Sequence, residues 1–90
     1  VSTGRQDTEL DQRIASVRGE SSSTDRSVAI ETDPGGRITR LYVADYAMDD
    51  GPERLAAVLA EQHRIAHSSA MDRAVQIFES QARDSVGRDA

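Results

Sequence analysis

The chain has 90 residues, with 11 arginines, no lysine and 16 aspartates and glutamates, for a formal net charge of −5. It contains no cysteine, so a disulfide framework and a thiolate metal site are excluded, and a whole-chain basic footprint for nucleic acid is absent. Hydrophobic residues make up 37% and aromatics are limited to Tyr42, Tyr46 and Phe78, which predicts one small domain with a thin core, and a second copy or another partner to complete it.

The opening stretch, VSTGRQDTEL, is polar and has neither an apolar period nor the apolar run of a secretory signal. No later run approaches the roughly 20 apolar residues of a membrane span, so no membrane association is expected. Residues 13–20, RIASVRGE, can alternate and read as a first strand. SSSTDR, residues 21–26, reads as a loop, because these side chains bond their own backbone.

Residues 27–32, SVAIET, read as a second strand, with Val28, Ile30 and Thr32 on one face. Asp-Pro-Gly-Gly, residues 33–36, supplies turn chemistry: proline presets one φ and glycine tolerates positive φ. RITRLYV, residues 37–43, resumes the alternation. Thr39, Leu41 and Val43 are expected on one face, and Arg37, Ile38, Arg40 and Tyr42 on the approach and the other face. A three-stranded antiparallel meander follows.

From Asp50 to Ser85 the pattern is helical. Pro52 suits the first helical position and Glu53 the positive end of the dipole. Leu55, Val58, Leu59, Gln62, Ile65, Ala66 and Ser69 trace one stripe, continued by Met71, Ala74, Val75, Phe78 and Ala82. Around Ser68–Ser69 the stripe weakens, which allows one long helix or two. The fold class is therefore α+β: a three-stranded antiparallel meander followed by a long C-terminal α-helix, with an N-terminal helix short or absent.

Few constellations carry chemistry. The Gly-Gly turn feeds a strand, whereas phosphate loops feed a helix N-terminus, so a hairpin corner is the expected role. His63 and His67 stand four apart, but Arg64 occupies the place of a general base and no third ligand is evident, so no metal is assigned. Asp45, Asp49 and Asp50 suit capping, and Ser21 to Ser23 have no base spaced to activate them. No catalytic residue and no cofactor are predicted, and the chain reads as a non-enzyme. Arginine binds phosphate bidentately. Arg18, Arg26, Arg37 and Arg40 on the sheet, and Arg64, Arg73 and Arg83 on the helix, are candidate strips, against ion pairing with Glu20, Glu31, Glu61 and Glu79.

The segment RGESSSTDRSVAIETDPGGRITRLYVADYAMDDGPERLAAVLAEQHRIA resembles the YbaB/EbfC family of nucleoid-associated proteins. Gly19, Val28, Ile30, Gly36, Leu41, Val43, Asp49, Leu55 and Leu59 fit the family's strand, hairpin and helix positions. The resemblance spans about residues 13–83, between disordered tails at 1–12 and 84–90. It implies a homodimer in the cytoplasmic nucleoid that binds double-stranded DNA with little sequence preference. Nucleic-acid contacts would fall on Arg18, Arg26, Arg37, Arg40, Arg64 and Arg73. Dimer contacts would fall on Leu55, Leu59, Ile65, Met71, Val75 and Phe78. The family's long N-terminal helix has no counterpart in the apolar pattern here. The chain also resembles actinobacterial YbaB-like proteins associated with type VII (ESX) secretion, which implies a protein partner in place of DNA.

Overall fold

A computed structural model describes the backbone of residues 2–89 and the side chains of residues 9–83. Val1 and Ala90, the outermost residues of the expected tails, lie outside the described residues. In chain order the elements are helix α1 (Ser2–Ala15), strands β1 (Gly19–Ser22), β2 (Val28–Thr32) and β3 (Ile38–Val43), a 3-10 turn (Asp45–Met48) and helix α2 (Pro52–Asp89). The strands form one antiparallel sheet in the order β1-β2-β3. This is the expected α+β meander with a long C-terminal helix and a short N-terminal one.

Helix α1 covers the stretch read as a tail and the start of the first strand. Leu10, Ile14 and Val17 recur at i, i+4 and i+7, a helical stripe too short to stand out among polar neighbours. Leu10 and Ile14 are half-buried in this helix, which packs on α2, and Val17, two residues past its end, is buried. The helix stops where Ser16 Oγ donates to Arg13 O (2.8 Å) and Arg18 Nη1 donates to the carbonyls of Ala15 (2.7 Å) and Val17 (2.8 Å). Those bonds occupy carbonyls that a helix end leaves unpaired. The first strand is thus displaced, from 13–20 to Gly19–Ser22.

Helix α2 runs unbroken through Ser68–Ser69 and on to Asp89. Gly51, at φ +93°, releases the chain into it, and Leu55 N–H closes the first turn on Gly51 O (3.2 Å). Val28 and Ile30 of β2 and Ala66 of α2 are buried together, with Leu55, Val58 and Leu59 packed against them. Gly19 lets the backbones of β1 and α2 touch at Ala66 and Ala70. The result is an elongated body of 59 × 22 × 15 Å.

Register decides what β3 presents. Val28 lies opposite Val43, Ile30 opposite Leu41 and Thr32 opposite Ile38, with an irregularity at Glu31/Thr32. Residues directly opposite share a face, so Ile38, Leu41 and Val43 stand on the side of the sheet that carries α2. The irregularity corrects the expected alternation: Ile38 takes the place assigned to Thr39, whose hydroxyl bonds Glu31 Oε1 (2.8 Å) instead. α2 packs over β1 and β2. Every residue of β3 is exposed, Ile38 at 45%, Leu41 at 52%, Tyr42 at 55% and Val43 at 41%.

Candidate nucleic-acid interface

The hairpin corner is structural. Asp33 accepts from Gly36 N–H through its carbonyl (3.0 Å) and from Arg37 N–H through Oδ1 (2.9 Å), so those amides face inward. The two histidines fasten this corner to α2: His63 Nε2 donates to Gly36 O (2.7 Å) and His67 Nε2 to Pro34 O (3.0 Å). A carbonyl only accepts, so the proton sits on Nε2 in both rings. The rings stack with centroids 6.2 Å apart.

The β1–β2 loop is also held by its own side chains. Asp25 Oδ1 accepts from Ser23 Oγ (2.9 Å) and Ser27 N–H (3.0 Å), and Tyr46 Oη donates to Asp25 O (2.8 Å). Hydrogen bonds from Ser27, then from Ser23, hold the Asp25 carboxyl below the usual carboxylate range. Arg26 sits in this loop at φ +61°, beside a recess of about 460 Å³ lined by Asp25, Asp49, Asp50 and Glu61. Ser21 Oγ donates to Gln62 Oε1, which ties β1 to α2.

The arginines separate into two groups. Arg40 lies on the sheet face away from α2, in a row with Glu31 and Glu20 across the three strands. Two carboxylates directly opposite repel, and a cation at the end of the row offsets them. Arg37 is exposed beside the hairpin corner. Among the described residues, neither lines the grooves that hold Arg64 and Arg73.

The second group converges where α1, β1 and α2 meet. Arg13, Arg18 and Arg73 line one groove of about 700 Å³ with Ser16, Gln76 and Ser80, and among the described residues no carboxylate lines it. Arg13 Nη1 donates to Gln81 Oε1 (2.6 Å), and Arg73 Nη1 donates to Arg18 O (2.7 Å). Arg18 Nε stands 4.0 Å from Glu31 Oε1. A guanidinium carries five N–H donors, so these bonds fix each side chain and leave donors to spare. Arg73 and Gln76 continue into a second groove of about 450 Å³, lined also by Asp72 and by Arg64, which pairs with Glu61 at 3.9 Å. Arg64 and Arg73 are nine residues apart, about 14 Å along the helix.

Of the six arginines expected to contact nucleic acid, the fold brings together Arg18, Arg64 and Arg73 and disperses Arg26, Arg37 and Arg40. Arg13 was missed, because it was assigned to a strand; the Leu10–Ile14–Val17 spacing was the signal that could have placed it. Of the residues expected at a dimer contact, Leu55 and Leu59 pack into the chain's own core. Ile65, Met71, Val75 and Phe78 are exposed. Among the described residues, no helix is long and apolar enough to cross a membrane. Compared with models of known families, with curated proteins and with solved structures, the chain matches none.

Proposed function

We propose that this chain is a non-enzymatic, homodimeric module of the YbaB/EbfC kind that binds double-stranded DNA with little sequence preference, in the nucleoid. The observation that carries this reading is the carboxylate-free groove of Arg13, Arg18 and Arg73; Arg64 lies in the adjoining groove along α2, where Asp72 also lines the wall. Guanidinium groups held on backbone carbonyls are oriented before a ligand arrives, and phosphate suits their fork geometry. Contacts of this kind read the backbone and leave base sequence unread.

The test is a mobility shift on arbitrary duplex at several salt concentrations. Each phosphate contact adds about 0.9 to the slope of log K against log salt. Replacing Arg18 and Arg73 by alanine should lower that slope by about 2. Replacing Arg37 and Arg40 should change it less. Folded wild-type protein that leaves duplex unshifted at low salt refutes the reading.

A second reading is a protein-interaction module, such as an accessory factor of type VII secretion. The exposed apolar side chains of β3 and the Met71, Val75 and Phe78 stripe favour it. Stable co-purification with one protein, free of DNA, is its expected signature.

A further inference from the structure

We infer that β3 is the dimer interface: two copies join edge to edge through this strand, antiparallel, with the twofold axis at Leu41. The inference rests on the homodimer in the reading above and not on its DNA partner.

β3 ends the sheet, so one side of its backbone has no strand beside it. Ala44 N–H points inward, to Ser27 O at 2.8 Å. Backbone direction alternates along a strand, so the N–H and C=O of Leu41 and Val43 point outward. Natural edges are blunted by lysine, proline, an inward charge or a bulge. β3 has no lysine or proline and its one charged residue is Arg40; its irregularity lies at the Thr39 end, so the edge from Arg40 to Val43 is regular. The chain also buries little by itself: among the described residues, the buried apolar ones are Val17, Val28, Ile30 and three alanines.

Charge and strand length select the occupant and the register. A twofold perpendicular to the sheet sets each residue against one of like face, so the strand is centred on Arg40, Leu41 or Tyr42. Centring on Arg40 sets two guanidinium groups face to face, which repels. Centring on Tyr42 carries the pairing past Val43 to Ala44, where the strand has ended. Centring on Leu41 keeps the pairs from Arg40 to Tyr42 inside β3, clear of the irregularity at Thr39. Leu41 then meets Leu41 of the second copy in a hydrogen-bonded pair. Arg40 lies over Tyr42 of the second copy in a close pair, where a cation–π contact forms. The row Glu20–Glu31–Arg40 thus ends on an aromatic ring of the other copy. An identical strand meets these conditions on both sides at once, as an isologous interface requires. The product is a six-stranded sheet with both α2 helices on one face. The two arginine groups lie at its two outer edges, against the β1 strands.

The chain has no cysteine, so one introduced thiol reports on one contact. A hydrogen-bonded antiparallel pair has Cα atoms about 5.5 Å apart, inside the disulfide range of roughly 4.4–6.8 Å. Under mild oxidation at micromolar concentration, Leu41→Cys should form a covalent dimer, while Met71→Cys, on the exposed helix stripe, should stay largely uncrosslinked. Leu41→Asp should sediment at the 9.8 kDa of one chain, with its far-UV spectrum kept. If that variant does not fold, the cysteine pair still decides. Cross-linking at Met71 in preference to Leu41, or a wild-type monomer at micromolar concentration, overturns the interface. All of these measurements are made without nucleic acid. A protein that dimerises through Leu41 and ignores DNA leaves this inference standing and removes the DNA reading.

Discussion

Adding one methyl group at Gly19 tests how α2 is seated on the sheet. In Gly19→Ala the new Cβ would stand 2.1 Å from Ala66 O and 2.4 Å from Ala70 N, with Ala70 Cα at 3.0 Å. All three are backbone atoms, so no side chain can swing aside. Restoring a contact near 3.5 Å would lift α2 by about 1.4 Å. That movement would pull Ala66 off Val28 and Ile30, together with Leu55, Val58 and Leu59. Overpacking a core costs about 1–3 kcal/mol, and rigid neighbours place this case near 3 kcal/mol. A 90-residue chain has roughly 5–13 kcal/mol in total at the usual 0.05–0.15 per residue. The loss corresponds to a fall in Tm of about 12–24 °C at 4–8 °C per kcal/mol. The assay is urea and thermal unfolding followed by far-UV circular dichroism, at one fixed protein concentration because the proposed dimerisation would shift the midpoint. Gly35→Ala is the control: its Cβ meets Asp33 Oδ1 at 3.4 Å and nothing nearer. A Gly19→Ala midpoint within 0.5 kcal/mol of wild type, on the scale of ordinary surface changes, refutes the close approach.

Gly36→Ala should cost about 1–2 kcal/mol for its left-handed φ alone, since Gly36 sits at φ +89° and a Cβ there meets the His67 ring at 3.3 Å; chemical denaturation reads this directly. Thr32→Val should raise stability by about 1 kcal/mol, because Thr32 is fully buried and its Oγ1 has no partner among the described residues; a lower midpoint would mean that the hydroxyl is bonded. For Asp25 the folded carboxyl titrates below its unfolded value. The stabilisation is present above the unfolded pKa and is lost as pH falls through the folded one. Asp25→Asn should therefore flatten the acid limb of the stability curve, and an unchanged limb counts against these hydrogen bonds.

The sheet and the long helix were legible because each carries a period. Val28, Ile30 and Thr32 alternate, Asp-Pro-Gly-Gly punctuates, and Leu55, Val58, Leu59 and Ala66 recur at helical spacing. α1 was hidden because two large apolar residues in fourteen, Leu10 and Ile14, do not dominate a period, and its burial depends on contact with α2. The face of Ile38 was hidden for a different reason: an irregularity in pairing is a property of two strands, and one strand's alternation holds no trace of it. The arginine groove was half legible. Arg18 and Arg73 could be named as cations, yet they are 55 positions apart in the chain, and folding makes them neighbours.

The net charge of −5 and a phosphate-binding role are compatible because the charges are segregated. Asp25, Asp49, Asp50 and Glu61, with the single cation Arg54, gather around the recess beside the first turns of α2. Arg13, Arg18 and Arg73 gather beyond the far end of the sheet. Gln62 lines the acidic recess and Gln76 the basic groove, fourteen residues apart and about 21 Å along the helix. At 0.15 M salt the Debye length is about 8 Å, so a phosphate held at Arg13, Arg18 and Arg73 would be screened from the acidic end, whereas Arg64, paired with Glu61, sits beside it. Under the proposed DNA reading, that end would repel a duplex at low salt and turn the basic groove toward it. Asp49→Asn with Asp50→Asn should therefore strengthen binding at low salt and leave it nearly unchanged at physiological salt. An equal gain at both would mean that the acidic end lies closer to the duplex than the Arg13–Arg18–Arg73 groove allows.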